Sequence, residues 1–508
     1  MSISGIKVDS QTFSLFQKEL HRPLGAVDKN DDDKITRNEK IHSIFQHRFR
    51  KISWYSPVKE ILETNGGGND DNVTYIANNT YDHLFKSFLN VQLPAIKVDD
   101  KKANEYRIAW THNIGININK LAKLMINDIV VNSFDSTSHD IASQYGYITK
   151  SGFKKHHLIS IGSVPRLEEW TNFLPAHHLN VLQPFYYTKA NFLALPLLKS
   201  STTQFKHVYN FRRRILDLLR MQRLNPVTGK WVDILPKPEV IEGIKDKDSL
   251  IPLPELWGRY SRITDEERNW FRHCGDTHEY FYDNFLAFDD TNSRSYEEVA
   301  SVDINSATPV KAIFWVSENT NSSRLNNFSN YTTNITNVYQ GWNPHGQFKL
   351  ERGEQVIMDS KSIIRAEREE VWEFPRAPWE PGYNAITFCN NPFSIDGEAS
   401  ISLQGSKTKL TVKITNGNPD LIMPNNYAKR DDLDDFAQTT EVVPSNVVVQ
   451  KEINPSFIVK VRLLVYKKLS YGYDEKSGGY IYRVDQLDPS QVWYDDEVKR
   501  LAEKRRTK

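Results

Sequence analysis

Residues 183–214 read QPFYYTKANFLALPLLKSSTTQFKHVYNFRRR and constrain the fold more than any other stretch, because two apolar alternations flank a polar turn. Leu193, Leu195 and Leu197 alternate with Phe192, Ala194 and Pro196. After the polar residues 199–204, Phe205, His207, Tyr209 and Phe211 alternate with Lys206, Val208, Asn210 and Arg212. A two-residue period places every second side chain on one face of a sheet. The segment therefore predicts an apolar strand, a turn, and an aromatic strand ending in the basic edge Arg212, Arg213 and Arg214. Strands of this kind bury one face against a second sheet, which is sandwich architecture.

Short strands of the same type recur along the 508 residues, at 73–77, 85–93, 106–118, 310–316, 355–358 and 383–388. LAKLMINDIVVNSF predicts a hairpin turning at Asn127 and Asp128, residue types that tolerate the positive φ of a tight turn. Thr408, Leu410, Val412 and Ile414 form one face of a strand, and Phe457, Val459, Val461, Leu463 and Val465 one face of another. Pro226, Pro236, Pro238, Pro252 and Pro254 crowd residues 225–262, where continuous sheet is unexpected, and place the interdomain connection there. Thr264 and Glu267 follow as a capping box for a short helix. The expected layout is all-β: an N-terminal arm at 1–50 with a helical pattern at Ile41, Ile44, Phe45 and Phe49, strands over 51–224, the connection at 225–262, strands over 263–480 and an extension at 481–508 with the basic end VKRLAEKRRTK.

The balance of 65 Lys plus Arg against 64 Asp plus Glu gives no basis for a specific nucleic-acid partner. Two cysteines, Cys274 and Cys389, exclude a disulfide framework and fit a reducing assembly site. The start MSISGIKVDSQTF lacks a basic-then-apolar leader, and no apolar run approaches the ~20 residues that span a bilayer, so a soluble chain is expected.

Asp28, Asn30, Asp32 and Glu39 occupy positions one, three, five and twelve of a calcium loop. Asp33 stands where Gly supplies the sharp turn, however, and Thr36 with Glu39 makes a capping box, so the acidic run is read first as a helix cap and only second as a calcium site. No other cofactor is expected. Residues 317–346 are dense in Asn, Ser and Thr, with Asn321, Asn327, Asn330 and Asn334 each in an Asn-x-Ser/Thr acceptor pattern. They are expected to form an exposed polar loop on which glycans are possible, although an Asn-rich composition also makes such patterns by accident. The pairs His156–His157 and His177–His178 sit on adjacent positions that face opposite ways in a strand, and the run from His273 to Glu279 reads as loop rather than metal site. No HExxH, GxSxG or phosphate-binding loop occurs, so catalysis has no candidate centre.

The order "aromatic pair, ALPL, strand ending in basic residues" in 183–214 resembles the major capsid proteins of nucleocytoplasmic large DNA viruses. Three further blocks follow that family's order: the hairpin block at 121–145, FKLERGEQVIMDSKSIIRAE at 348–367, and GYNAITFCNNPFSIDGEASISLQGSKTKLTVKI at 382–414. The chain departs at 395–398, where the family often has a Gln-Pro-Ser-Gly turn, so it is similar to a divergent member. The resemblance implies two consecutive eight-stranded jelly rolls, with the polar loop 317–346 as a tower. It also implies a homotrimer forming a pseudo-hexagonal capsomer in the virion, assembled in host cytoplasm beside neighbouring capsomers and minor capsid proteins. The basic tail is read first as a solvated end and second, with the N-terminal arm, as a contact with an inner membrane or another acidic capsid component. A membrane scaffold of the poxvirus type with the same fold, and a jelly-roll carbohydrate-binding protein, are the alternatives.

Overall fold

The computed structural model describes residues 55–67, 71–147, 165–197, 203–244, 249–273, 278–394, 400–403, 407–416, 456–474 and 479–485. The calcium-loop residues Asp28, Asn30, Asp32 and Glu39, the helical pattern at 41–49, His156, His157, Cys274, the turn at 395–398 and the basic end lie outside them.

Two β-sandwiches follow one another. The first is built from β1 (Tyr55–Ile61), β2 (Glu63–Gly66), β3 (Asn72–Ile76), β4 (His83–Leu93), β5 (Ile96–Val98), β6 (Tyr106–Trp110), β7 (Asn119–Ile126), β8 (Ile129–Asp135), β9 (Phe173–Leu174), β10 (His177–Leu182), β11 (Leu195–Pro196), β12 (Phe205–Phe211), β13 (Leu219–Leu224), β14 (Trp231–Ile234), β15 (Ile241–Glu242) and β16 (Glu255–Ile263). Its main sheets run β1-β16-β4-β10 and β2-β3-β12-β7-β8, with two small sheets, β14-β13-β6 and β15-β5-β9, beside them. The second comprises β17 (His278–Asp289), β18 (Val299–Asp303), β19 (Val310–Asn319), β20 (His345–Arg352), β21 (Gln355–Ser360), β22 (Asn384–Thr387), β23 (Thr408–Ile414), β24 (Phe457–Asp474) and β25 (Gly479–Asp485). Its sheets are β17-β24-β19-β22, with β25 attached to β24, and β18-β23-β20-β21.

The alternation read in the sequence becomes burial. On β12, Phe205, His207, Tyr209 and Phe211 point inward, against Tyr75 of β3 and Leu124 of β7. On β4, Ser87, Leu89, Val91 and Leu93 point inward too. The β7–β8 hairpin turns at Asn127, whose φ of 54° is one that Asn accepts more readily than most residues. β19 departs from alternation, because Val310 to Ser317 are all buried. One face of its sheet meets the second sandwich's core through Ile313 and Trp315, and the other meets a separate cluster through Ala312, Phe314 and Val316. A strand covered on both sides reads as a continuous apolar run.

Three expectations change. Residues 106–118 are not one strand: Asn113 at φ 50° breaks the chain after Trp110, and one helical turn, Ile114–Asn117, precedes β7. Leu193, Leu195 and Leu197 are buried as expected, yet Leu193 ends a 3-10 turn and only Leu195–Pro196 pairs with β4. Proline has no N–H to give a sheet, which restricts that pairing to an edge. The Pro-rich residues 225–262 are not a free connection either. They carry β14, β15 and most of β16, and β16 lies between β1 and β4 in a main sheet of the first sandwich. Pro252 and Pro254 stand just before it, where a strand tolerates them. The helix expected after Thr264 is present as Asp265–His273, with Thr264 Oγ1 accepting from the Glu267 amide at 3.3 Å.

Leu195→Asp should abolish folding, since it puts an unpaired carboxylate into a fully buried position at a cost of several kcal/mol. Lys206→Ser, on the half-exposed face of β12, should change stability by less than about 1 kcal/mol. Soluble yield and thermal midpoint check both, and equal behaviour of the two variants would invert the face assignment.

Candidate functional site: the seam between the two sandwiches

Strand β8 ends at Asp135, whose carboxylate accepts from the Ser138 amide at 2.8 Å and caps α1 (Ser136–Tyr145). Every residue of α1 after Ser136 is buried. A helix can be enclosed all round only if it is wedged between layers. Here Ile141, Ala142 and Tyr145 cluster with Phe285, Ala312, Phe314, Val316, Ala385 and Leu464 on the outward face of the second sandwich's β17-β24-β19-β22 sheet. Phe314, Phe374, Phe393, Tyr145 and Tyr147 pack their rings at 4.7–6.2 Å in this cluster. The apolar contact is large but does not fix an angle by itself, because dispersion and the hydrophobic effect are non-directional.

Direction comes from polar groups. Arg462 of β24, 0% exposed, gives its guanidinium to Asp135 of the first sandwich, Nε to Oδ1 at 3.2 Å, and to Asp289 of β17. Burial opposes ionisation of Asp135, but the Arg462 charge and the capping bonds outweigh it and hold the carboxyl down at about 2. Asp283 of β17 receives Lys311 of β19 at 3.1 Å and Lys189 of the first sandwich. Burial again works against the carboxylate, and the two lysines keep its pKa below the ordinary value. Beside these, Asn132 donates to Asn284 Oδ1 at 2.8 Å, and the Tyr282 hydroxyl donates to the Val131 carbonyl at 2.8 Å. Strand β8 and strand β17 are thereby tied in register.

The third group centres on His112. Its Nδ1 meets Glu168 at 2.8 Å and its Nε2 meets Glu380 at 2.9 Å, one carboxylate from each sandwich. Burial disfavours the imidazolium, but the two carboxylates overcome that and raise its pKa well above the usual histidine value. Nearby Asp140 of α1 accepts from Asn113 at 3.1 Å and from the Tyr331 hydroxyl at 3.1 Å; burial pushes its carboxyl up to about 7. Each imidazole nitrogen addresses a different carboxylate, and among the described residues no group of three or more His, Cys, Asp or Glu could hold a metal ion.

The segment expected to be an exposed tower closes this seam instead. Asn321 is 6% exposed, and Asn327 and Asn330 are 1%. Asn326 donates to the carbonyls of Leu216 and Leu219, the Phe328 amide to Thr111 Oγ1, and Arg220 to the Thr336 carbonyl. Arg212 lies 4.6 Å from the centre of the Phe328 ring. The acceptor patterns are internal turns: Asn330 Oδ1 binds the Thr332 amide and hydroxyl, and Asn334 Oδ1 binds the Thr336 amide at 2.9 Å. Asn-x-Thr is the spacing of a turn closed by an Asn side chain onto the amide two residues on. The Asn327 and Asn330 amide nitrogens that would carry a sugar are buried and donate to the carbonyls of Ile335 and Asn334. The folded chain therefore has no room for glycans at Asn321, Asn327 or Asn330; Asn334 is half-buried in the same network. Backbone approach is equally close, since a Cβ on Gly382, at φ 97°, would stand 2.2 Å from the Tyr331 carbonyl oxygen.

The remaining candidates fall elsewhere. Arg213 is buried, binding the Gly67 carbonyl at 2.7 Å and that of Ile251, and Arg212 binds the Asn117 carbonyl, so of the expected basic edge only Arg214 is exposed. His177 and His178 face opposite ways on β10, as adjacent strand residues must. The seam ions escaped the sequence reading, although a charge inside an apolar run, Lys311 in VKAIFWV and Arg462 in VKVRLLVY, was the available signal.

A family described as "Major capsid protein N-terminus" matches residues 43–229. The major capsid protein of Tipula iridescent virus is 23% identical over 394 residues, covering 72% of this chain and 81% of the relative. That of Simulium iridescent virus is 23% identical over 378 residues, covering 69% and 76%. Among solved structures, the PBCV-1 virus capsid aligns with a TM-score of 0.60 at 12% identity over 87% of this chain and 100% of the other. The Faustovirus major capsid protein aligns with a TM-score of 0.58 at 8% identity over 85% and 93%. Both share the double jelly-roll architecture.

His112→Ala should lower stability by about 3–5 kcal/mol, because Glu168 and Glu380 lose their shared cation in a dry site. The His112 contribution is fully present below its unfolded value and is lost as pH rises through its raised folded pKa. The difference in thermal midpoint between wild type and His112→Ala should therefore narrow as pH rises above the ordinary histidine range. A constant difference would refute the charged bridge. Gly382→Ala should cost about 3 kcal/mol, and deleting 320–336 should give aggregated protein; a soluble deletion variant with an unchanged midpoint would contradict the buried strap.

Proposed function

This chain belongs to the double jelly-roll major capsid protein family of the nucleocytoplasmic large DNA viruses, and from that premise we propose that it assembles as a homotrimer forming a pseudo-hexagonal capsomer of an icosahedral shell. The observation that carries the reading is the seam: two similar sandwiches held at one fixed angle by Arg462, Asp283 and His112. Three such chains present six comparable blocks, so one gene product fills a near-sixfold position. A tile of this kind must not hinge, because an error in the angle between its halves accumulates across a shell. Directional buried ion pairs serve that requirement better than apolar contact alone.

As a viral structural protein it works by shape and burial, and we place assembly in the host cytoplasm without catalysis or a resident cofactor. Minor capsid proteins and an inner membrane, reached through the N-terminal arm or the basic end, complete the proposed partners. Among the described residues no helix is long and apolar enough to cross a membrane.

Sedimentation and light scattering of the purified chain should give a trimer, and negative-stain images a near-hexagonal outline. A stable monomer at micromolar concentration across all salt conditions would overturn the capsomer reading.

A further inference from the structure

The outward face of the β1-β16-β4-β10 sheet carries two adjacent rows set by strand register. Lys59 pairs with Arg259 and Arg259 with Lys86. In the next row Ile61 pairs with Trp257 and Trp257 with Phe88. Their neighbours Leu62, Leu256 and Leu89 belong to the first core, so by alternation all six face outward. Among the described residues none of the three cations has a carboxylate partner; Arg259 instead lies 5.7 Å from the Phe88 ring centre. Three like charges in a row beside a half-exposed aromatic strip, whose Trp257 indole donates to Glu255 at 3.0 Å, is an arrangement that folding alone does not favour.

A complementary feature stands on the second sandwich. Trp372 is 87% exposed, the most exposed aromatic side chain among the described residues. It sits on the turn Glu370–Glu373, which is anchored from below: Phe374 is buried in the seam cluster, Val371 packs against it, and Glu370 accepts from the Thr387 amide at 3.2 Å and from Arg365. Glu369 and Glu373 flank the indole, and neither has a cationic partner among the described residues. An indole held rigidly in water between carboxylates has the composition of an interface anchor with a charged rim.

We infer that the Trp372 turn of one copy docks on the Lys59–Arg259–Lys86 face of a second copy of this chain. The indole meets Ile61, Trp257 and Phe88, while Glu369 and Glu373 meet the basic row. The two patches lie on different sandwiches of one chain, so the contact is heterologous: each copy gives its peg and receives another. Such contacts either close into a ring or run on as a filament. The inference rests on the self-assembly proposed above and names the surfaces that would perform it.

The test uses the full chain in four forms: Trp372→Ala, the pair Lys59→Glu with Arg259→Glu, the pair Glu369→Lys with Glu373→Lys, and all four charge reversals together. Sedimentation reads the oligomer, and circular dichroism with thermal midpoints confirms that each surface variant is folded. Trp372→Ala should weaken association at least about tenfold, each double reversal should leave monomer, and the fourfold reversal should restore the oligomer. An oligomer that survives all four variants, or a fourfold variant no better than either pair, overturns the docking while leaving capsomer assembly intact. A monomeric wild type removes both readings. Vesicles of phosphatidylserine and phosphatidylcholine bound by wild type and released by the Lys59/Arg259 reversal, with the oligomer unchanged, would assign the basic face to a lipid surface and also overturn it.

Discussion

The guanidinium of Arg462 is the point on which the rest of the structure depends. It lies in β24, the longest described strand and a central one in its sheet, yet its charge is neutralised from two different sandwiches, by Asp135 and Asp289. Asp135 is at the same time the cap of α1, so one carboxylate fixes both where that helix starts and how it lies on the second sandwich. An unpaired charge in such a place would cost several kcal/mol, which makes alternative packings of the two halves unfavourable rather than merely different. The surrounding aromatic cluster supplies affinity between the halves; Arg462 supplies the angle.

The other seam ions extend that logic with different pH behaviour. Asp135 and Asp283 have lowered pKa values, so their pairs are present above the ordinary carboxylate range and fail only in acid. His112 has a raised value, so its charged form is lost on the alkaline side, whereas Asp140, pushed up to about 7 by burial, titrates near neutrality. The Asp135, Asp283 and His112 bridges are therefore intact together between the acid range that protonates the two carboxylates and the alkaline range that discharges the imidazolium. The seam is thus held across that window by opposing titrations rather than by one.

Period-two patterning made most strands readable: β12, β4, β23 and the β7–β8 hairpin follow directly from which residues are apolar and which tolerate positive φ. Proline misled, because the chain meets its prolines at strand entries such as Pro252 and Pro254 and not only in a linker. The seam was nearly invisible for a physical reason. Its residues are 56 and 268 positions apart in the case of Glu168 and Glu380 around His112, and no local period encodes a contact of that separation. Strand patterning divided the chain into two strand-rich halves, and the order and spacing of several blocks, a resemblance and not a pattern, identified each half as a jelly roll.

The polar strap shows how composition alone can point the wrong way. A run of Asn, Ser and Thr reads as solvated because each side chain needs hydrogen bonds, but water is not the sole source of them. Between Asn319 and Asn337 the side chains satisfy one another and the turns they stand on, as Asn319 does for the amides of Asn321 and Ser322, and Asn330 for Thr332. Once those bonds are closed internally most of the segment's polar groups can be buried with partners, Asn321 Nδ2 and Asn327 Oδ1 being exceptions, and its short side chains then allow the close backbone approach seen between Tyr331 and Gly382. A charged or aliphatic filler could not do this: the first would leave ions unpaired in the seam, and the second would leave the carbonyls of Leu216 and Leu219 without the donor that Asn326 provides. Polar composition here is a requirement of burial between two rigid blocks, and the same requirement keeps the strap from serving as a free outer loop.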